Sequence, residues 1–358
     1  MSTHPSTKRK SKQQRLAEAI LASGTLAPLR WLHERGRTPA LILAYHRIVE
    51  TSGTTAYPLD LGLVSATPEQ FDAQMRALRD YANPVSLDQI ADAVTQGSTL
   101  PERAVAVTFD DGFSDTFETA FPLLSRHEIP ATIFVSTGYI DSLEPLWFEL
   151  TAHLMLRIPP RSIVMKGCAS GLPTADDETA RRESIATLHR LLKACDNARR
   201  GELVDEWRRR FAAQIDARAM ELGRSIARPQ IEEMARHGIS FGSHTISHPN
   251  LFLASDETIE HELRDSKAAL EALLGRSVRC LAYPFGVPGT YDARAMRIAR
   301  NCGYELAVSY RQGVNWLGAL QSLELRRIGI GPGITAPQFQ VMLALPDWLH
   351  PHFDAGHD

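Results

Sequence analysis

The 358-residue chain is long enough for one large α/β barrel or two average domains, and its 44% apolar and 23% charged residues are ordinary for a soluble globular protein. A formal net charge of -3 excludes a molecule built as a whole to hold nucleic acid. The charge is uneven, with eight Lys/Arg against two acids in residues 1–37 and a net-acidic remainder.

Residues 1–12 are polar and basic and read as a disordered tail. Residues 13–35 read as one helix, or two broken near Gly24–Pro28. Lys8, Arg9, Lys10, Lys12 and Arg15, followed by Leu16, Ile20, Leu21, Leu26, Leu29, Trp31 and Leu32, could lie on an anionic membrane surface through residues 8–37. Gly24 and Pro28 interrupt that apolar face, which favours a tail and a helix packed on the body. Glu18 also interrupts any signal-peptide core, and no window approaches the roughly 20 apolar residues of a spanning helix. Cys168, Cys195, Cys280 and Cys302 contain no Cys-x-x-Cys pair and read as reduced thiols. The expected location is therefore the cytoplasm, with the inner membrane surface as its variant.

From residue 40 strand and helix signals alternate. Leu41–Tyr45 is a short apolar run typical of a buried strand. The spacing of Phe71, Met75 and Leu78 predicts a helix over Pro68–Tyr81 with Thr67 as N-cap, and Ser86 would cap a helix over Leu87–Val94. Ala104–Phe109 is a strand, Phe113–His127 a helix and Ala131–Ser136 the next strand. Residues 141–230 break the rhythm: Trp147–Leu156 is apolar, 159–178 is loop-like, and 179–222 reads as long charged helices. This segment is expected to pack beside the main body and shape a cleft, with Arg208, Arg209 and Arg210 on a solvated face. Beyond it, a helix at Ile231–His237 precedes a strand at Ile239–Gly242. A helix over Glu257–Leu274 stops at Gly275. Val278–Tyr283, Tyr304–Ser309 and Leu325–Ile330 are strands, and Ala293–Asn301 and Pro337–Leu345 are helices. Some seven strand–helix units in one chain imply a parallel sheet closed into a barrel.

Four short segments carry chemistry, each where a strand should end, which in such barrels is the active face. Thr108-Phe109-Asp110-Asp111-Gly112 sets two carboxylates beside a glycine that permits a sharp turn. Two close acids strain each other's ionisation unless a cation intervenes, so one can bind a metal while the other works as a base. His244 and His248 are spaced i, i+4, expected to lie on one side of a helical turn as a bidentate metal pair. Two imidazoles and a carboxylate suit Zn²⁺, Fe²⁺, Co²⁺ or Ni²⁺. Tyr283-Pro284-Phe285-Gly286 is a strand stop that can offer a backbone N–H to an oxyanion. His46 follows the first strand; alone, such a histidine is as readily a structural residue bonded to backbone.

In this order the segments resemble the polysaccharide deacetylase family, carbohydrate esterase family four, also called the NodB-homology fold. Thr108–Gly112 matches the family's Thr-Phe-Asp-Asp-Gly motif in full, His244–His248 matches His-Ser/Thr-x-x-His in full, and Pro284-Phe285-Gly286 matches the end of Arg-x-Pro-Tyr/Phe-Gly. The similarity spans roughly residues 40–345, with 141–230 the least constrained part. Two features depart from it. The arginine of the third motif falls at Ala282, and Arg326 or Arg327 would have to supply that charge. The family's C-terminal Leu-x-His is not convincingly present, since His350 is followed by proline. In one subgroup that motif is permuted to the N-terminus, and Tyr45-His46 resembles that arrangement.

The resemblance implies a distorted (β/α)7-type barrel over residues 39–346, with a helical insertion at about 141–230, a basic N-terminal segment 1–38 and a tail 347–358. It implies that Asp111, His244 and His248 hold one divalent metal, Zn²⁺ first among those named, that Asp110 is the general base and that His46 is the general acid. The Phe285 N–H would sit against the oxyanion. The implied substrate is an N-acylated amino sugar in a polysaccharide, an oligosaccharide or a lipid-linked precursor. Two other readings are a deformylase or amidase acting on a small substrate, and a non-catalytic glycan-binding barrel; the intact Asp110 speaks against the second. No nucleic acid partner is expected.

Overall fold

A computed structural model of the chain describes residues 11–34, 39–51, 57–163, 177–316 and 321–346. The basic residues Lys8, Arg9 and Lys10, and the tail that holds His350, lie outside these residues.

Two helices come first, α1 (Lys12–Ala22) and α2 (Leu26–Glu34), separated at Gly24, whose φ of 69° no L-residue adopts cheaply. Strand β1 (Pro39–Tyr45) opens the barrel, followed by α3 (Pro68–Tyr81), α4 (Leu87–Gln96) and β2 (Ala104–Phe109). Both α3 and α4 begin with the capping boxes their sequences imply, Thr67 with Gln70 and Ser86 with Gln89. Next come a π-turn at Thr116–Ala120, α5 (Phe121–Arg126) and β3 (Ala131–Val135). The helix expected at Phe113–His127 is thus divided: Pro122, which has no N–H to donate, stands just beyond the widened turn. Helices α6 (Trp147–Arg157), α7 (Glu178–Lys193), α8 (Asn197–Arg210) and α9 (Ala217–Leu222) then precede α10 (Arg228–Arg236). The barrel resumes with β4 (Ser240–Ser243), α11 (Asp256–Leu274), β5 (Cys280–Ala282), α12 (Ala293–Asn301), β6 (Leu306–Gln312), β7 (Leu325–Gly329) and α13 (Ala336–Ala344).

The seven strands run parallel in chain order, and β1 pairs with both β2 and β7, so the sheet closes. Every residue of β1 is buried because the strand is covered on both faces. The period of two sorts its side chains. Leu41, Leu43 and Tyr45 join Phe71 and Leu78 under the outer helices. Ala40 and Ile42 face inward with Ala104, Ala106, Cys280, Ala282, Leu306, Val308 and Leu325.

Helices α6, α7 and α8 share a second apolar cluster built on Trp147, Leu154, Leu188, Leu203 and Trp207. The fully buried Arg47, one residue past His46, ties β1 to this region. It bonds Asp115 at 2.9 Å and Glu149 of α6 at 2.6 Å. Burial pushes the Glu149 carboxyl up to about 7 against the pull of Arg47.

The N-terminal helices use their apolar side on the barrel. Ala17 and Ile20 are buried with Val341, Ala344 and Leu345 of the α13 region, and Leu21, Leu26 and Leu29 pack against them. Leu16 remains half exposed. Among the described residues, no helix is long and apolar enough to cross a membrane.

Candidate active site

At the C-terminal ends of the strands lies a cavity of about 140 Å³, lined by His46, Asp110, Asp111, His244, His248, Phe285 and Tyr310 among others. The six residues singled out in the sequence therefore meet in one place.

Asp110 continues the inward parity of Ala104, Ala106 and Thr108. Its N–H donates to Tyr45 O at 2.9 Å, and its carboxylate is gripped by Arg327 through Nη1 at 2.7 Å and Nη2 at 2.6 Å. Arg327 also donates through Nη1 to Thr108 Oγ1 and through Nε to Ser309 O. Burial alone would raise the Asp110 carboxyl; the Arg327 charge and its paired hydrogen bonds outweigh this and hold it at about 2. Of the two arginines offered by the sequence, Arg327 shares the inward parity of Leu325. Arg326 points out and donates to Gln312 O.

Asp111 takes a left-handed backbone (φ 71°), as does Gly112 (φ 73°), where a Cβ would lie 3.0 Å from Val135 Cγ1. This bend turns Asp111 away from Asp110 and towards the histidines. Asp111 Oδ1 is 3.5 Å from His244 Nε2 and 3.4 Å from His248 Nε2. His244 donates from Nδ1 to Ala282 O at 2.8 Å, which leaves Nε2 facing Asp111.

The segment His244–His248 is not the helical turn expected from its i, i+4 spacing. It is an irregular loop after β4, with Thr245 at φ 67° and His248 at φ 55°. Thr245 Oγ1 accepts from the His248 N–H, and Glu262 of α11 accepts from the N–H groups of Ile246 and Ser247. These bonds replace the i→i−4 ladder that a helix would have used.

The donor set suits a divalent cation. Asp111, His244 and His248 each offer a ligand atom, all within 4.8 Å of one another, and all three residues are buried. Asp111 Oδ1 and His248 Nδ1 are buried without a hydrogen-bond partner. Burial, with the neighbouring His244, Arg200, Lys193 and His46, pushes His248 well below its ordinary value, so its imidazole is neutral as a ligand must be. His244 is also opposed by burial, but Asp111 and Asp110 outweigh that and raise it.

His46 donates its N–H to Ser65 Oγ at 2.9 Å, and its ring stands 5.8 Å from that of Tyr310. Phe285 has a left-handed backbone (φ 62°) and so does Gly286 (φ 68°), where a Cβ would come within 2.5 Å of Tyr310 N. No backbone acceptor takes the Phe285 N–H among the described residues.

The cavity has a further wall from the helical insertion, which the sequence set beside a cleft without singling out its residues. Ala186, His189 and Lys193 of α7 line it, with Asp60 and Phe148. Their i, i+3, i+7 spacing is a single helical stripe, a signal present in the sequence but lost among the charges of α7. His189 is 3.3 Å from Asp60 and also bonded to Thr151 and Phe148 O. Lys193 Nζ lies 5.0 Å above the Phe285 ring.

A closed parallel barrel with paired acids and a two-histidine loop at its active face defines a class of hydrolases. The family model for polysaccharide deacetylase matches residues 97–171 and 201–307, and the chain belongs to that family. YxkH of Bacillus subtilis, a polysaccharide deacetylase by name, is 22% identical over 311 residues, 86% of this chain and 77% of its own. The poly-beta-1,6-N-acetyl-D-glucosamine N-deacetylase of Staphylococcus aureus is 29% identical over 108 residues, a local match covering 28% of this chain and 37% of that enzyme. Among solved structures, the Streptococcus pyogenes deacetylase PplD aligns with a TM-score of 0.57 and 22% identity over 84% of this chain and 96% of its own. IcaB from Ammonifex degensii aligns at 0.56 and 20%, over 86% and 97%. Both share the fold.

Proposed function

We propose that this chain removes an N-acetyl group from an amino sugar within a polysaccharide or its precursor, and that it does so with one divalent cation held by Asp111, His244 and His248. The observation that carries this reading is the Asp110 carboxylate, clamped by Arg327 beside the three-residue donor set on the floor of the cavity. The staphylococcal relative, named for poly-N-acetylglucosamine, supports the substrate class. When bound, such a cation lowers the pKa of a water towards neutral and polarises an acyl oxygen.

The chain's own residues supply the rest. Asp110 is ionised throughout the neutral range and oriented by both arms of Arg327, so it is a ready proton acceptor for an attacking water. The Phe285 N–H provides a donor for the oxyanion of the tetrahedral intermediate. His46, just past the end of β1 and lining the cavity, gives a proton to the departing amine, which leaves poorly without one. Carbon–nitrogen cleavage then yields acetate and a free amino sugar.

The test is acetate release from N-acetylglucosamine oligosaccharides before chelation, after it, and after Zn²⁺ is restored. Release should require the cation, and Asp111→Ala, His244→Ala and His248→Ala should each lose bound metal and turnover. Release that survives chelation, or full metal content in all three variants, overturns the cation assignment. Formate release from small N-formyl substrates with inert oligosaccharides would point to the deformylase reading instead.

A further inference from the structure

We propose that the corner joining α7 to α8 is a positioning element for His248, so that the helical insertion completes the metal site as well as walling the cavity. This rests on the reading that His248 is a metal ligand.

The sequence itself opposes the conformation at position 248. A non-glycine residue in the left-handed region is strained, and the following Pro249 pushes its predecessor towards extended backbone. His248 nevertheless sits at φ 55°. Such a residue persists only where its surroundings over-determine it.

The loop is held from two sides. Glu262 of α11 takes the N–H groups of Ile246 and Ser247, upstream of His248. The His248 carbonyl and the residues after it are held by the insertion. Arg200 of α8 donates through Nη2 to His248 O at 3.3 Å. Asn197, the first residue of α8, accepts the Asn250 N–H at 2.9 Å and donates to Asn250 O at 3.0 Å. Asn250 in turn donates from its side chain to Lys193 O at the end of α7. His248 is thus bracketed: Thr245 Oγ1 holds its N–H and Arg200 its C=O.

Arg200 is poorly explained by stability. It is 4% exposed, its guanidinium lies 4.7 Å over the Trp147 ring, and its Nη1 has no partner. A buried cation held chiefly by a backbone carbonyl and an aromatic face is costly, and an apolar side chain of similar length would relieve that cost. Its contact with the carbonyl of a metal ligand is what such a replacement would lose.

The experiment measures Zn²⁺ affinity of the full-length protein by competition with a chromophoric chelator, alongside thermal unfolding of the metal-free form. Arg200→Met and Asn197→Ala should each bind Zn²⁺ more weakly by roughly 10–100-fold, the range for groups that orient metal ligands. The metal-free Tm of Arg200→Met should stay level or rise. Arg200→Lys, which keeps a donor, and Asn197→Asp, which keeps the acceptor for the Asn250 N–H, should recover part of the affinity. Wild-type affinity in both Arg200→Met and Asn197→Ala overturns the proposal, as does a loss of affinity matched by a proportionate fall in metal-free Tm. A wild-type protein that binds no Zn²⁺ would instead remove the underlying metal assignment.

Discussion

Arg327 meets Asp110 through two nearly parallel hydrogen bonds of 2.7 and 2.6 Å, across a barrel whose third motif has Ala282 where an arginine was expected. The fork orients both carboxylate oxygens and holds the acid ionised in a fully buried setting. The charge comes from β7 instead of β5, and the direction of approach is set by the inward parity that Arg327 shares with Leu325.

The first prediction concerns that fork. Arg327→Lys retains a charge but cannot bond both oxygens, so kcat should fall by roughly 10²-fold, as expected when a catalytic group is misplaced by about an ångström. Bound metal should be unchanged, and Arg326→Ala should behave as wild type. Equal kcat in all three proteins would show that Asp110 is oriented by something else.

His46→Ala should keep fold and bound metal while kcat drops on the order of 10²–10⁴-fold, the range for a positioned proton donor. Near-normal kcat in this variant would transfer the role to His350.

Stability in acid should carry the signature of Asp110. Its folded value of about 2 lies below the ordinary value of 3.8, so the unfolded chain binds the proton more tightly. The contribution is therefore fully present above about pH 4 and is lost as pH falls through about 2; its size is about 2 kcal/mol. Urea unfolding of metal-free protein at pH 6 and pH 3 measures it against the double variant Asp110→Asn/Arg327→Met. An identical pH dependence in the two proteins contradicts the assignment.

Removal of residues 1–37 should lower the Tm, because Ala17 and Ile20 cover Val341, Ala344 and Leu345. Co-sedimentation with anionic vesicles should be the same with and without this segment, since its apolar side is already occupied. Stronger sedimentation of the full chain would restore the membrane-surface reading of residues 8–37.

The sequence by itself determined the alternation of strands and helices, the caps at Thr67 and Ser86, and the strand ends that present Asp110, His244 and Phe285. These are local matters: a period of two or 3.6, a side chain that accepts from its own N3 amide, a glycine where φ is positive. Tertiary structure decided the rest. Arg326 and Arg327 are equivalent as neighbours in a sequence, and only closure of the barrel put one beside Asp110 and the other in solvent. The spacing of His244 and His248 suggested a helix, but Glu262 and Arg200 satisfy that loop's polar groups from elsewhere and hold backbone angles a local preference would refuse. The stripe of Ala186, His189 and Lys193 became a cavity wall only when α7 packed over the strand ends. In each case the deciding partner is distant in the chain, and its contribution enters through burial and hydrogen bonds that no local pattern encodes.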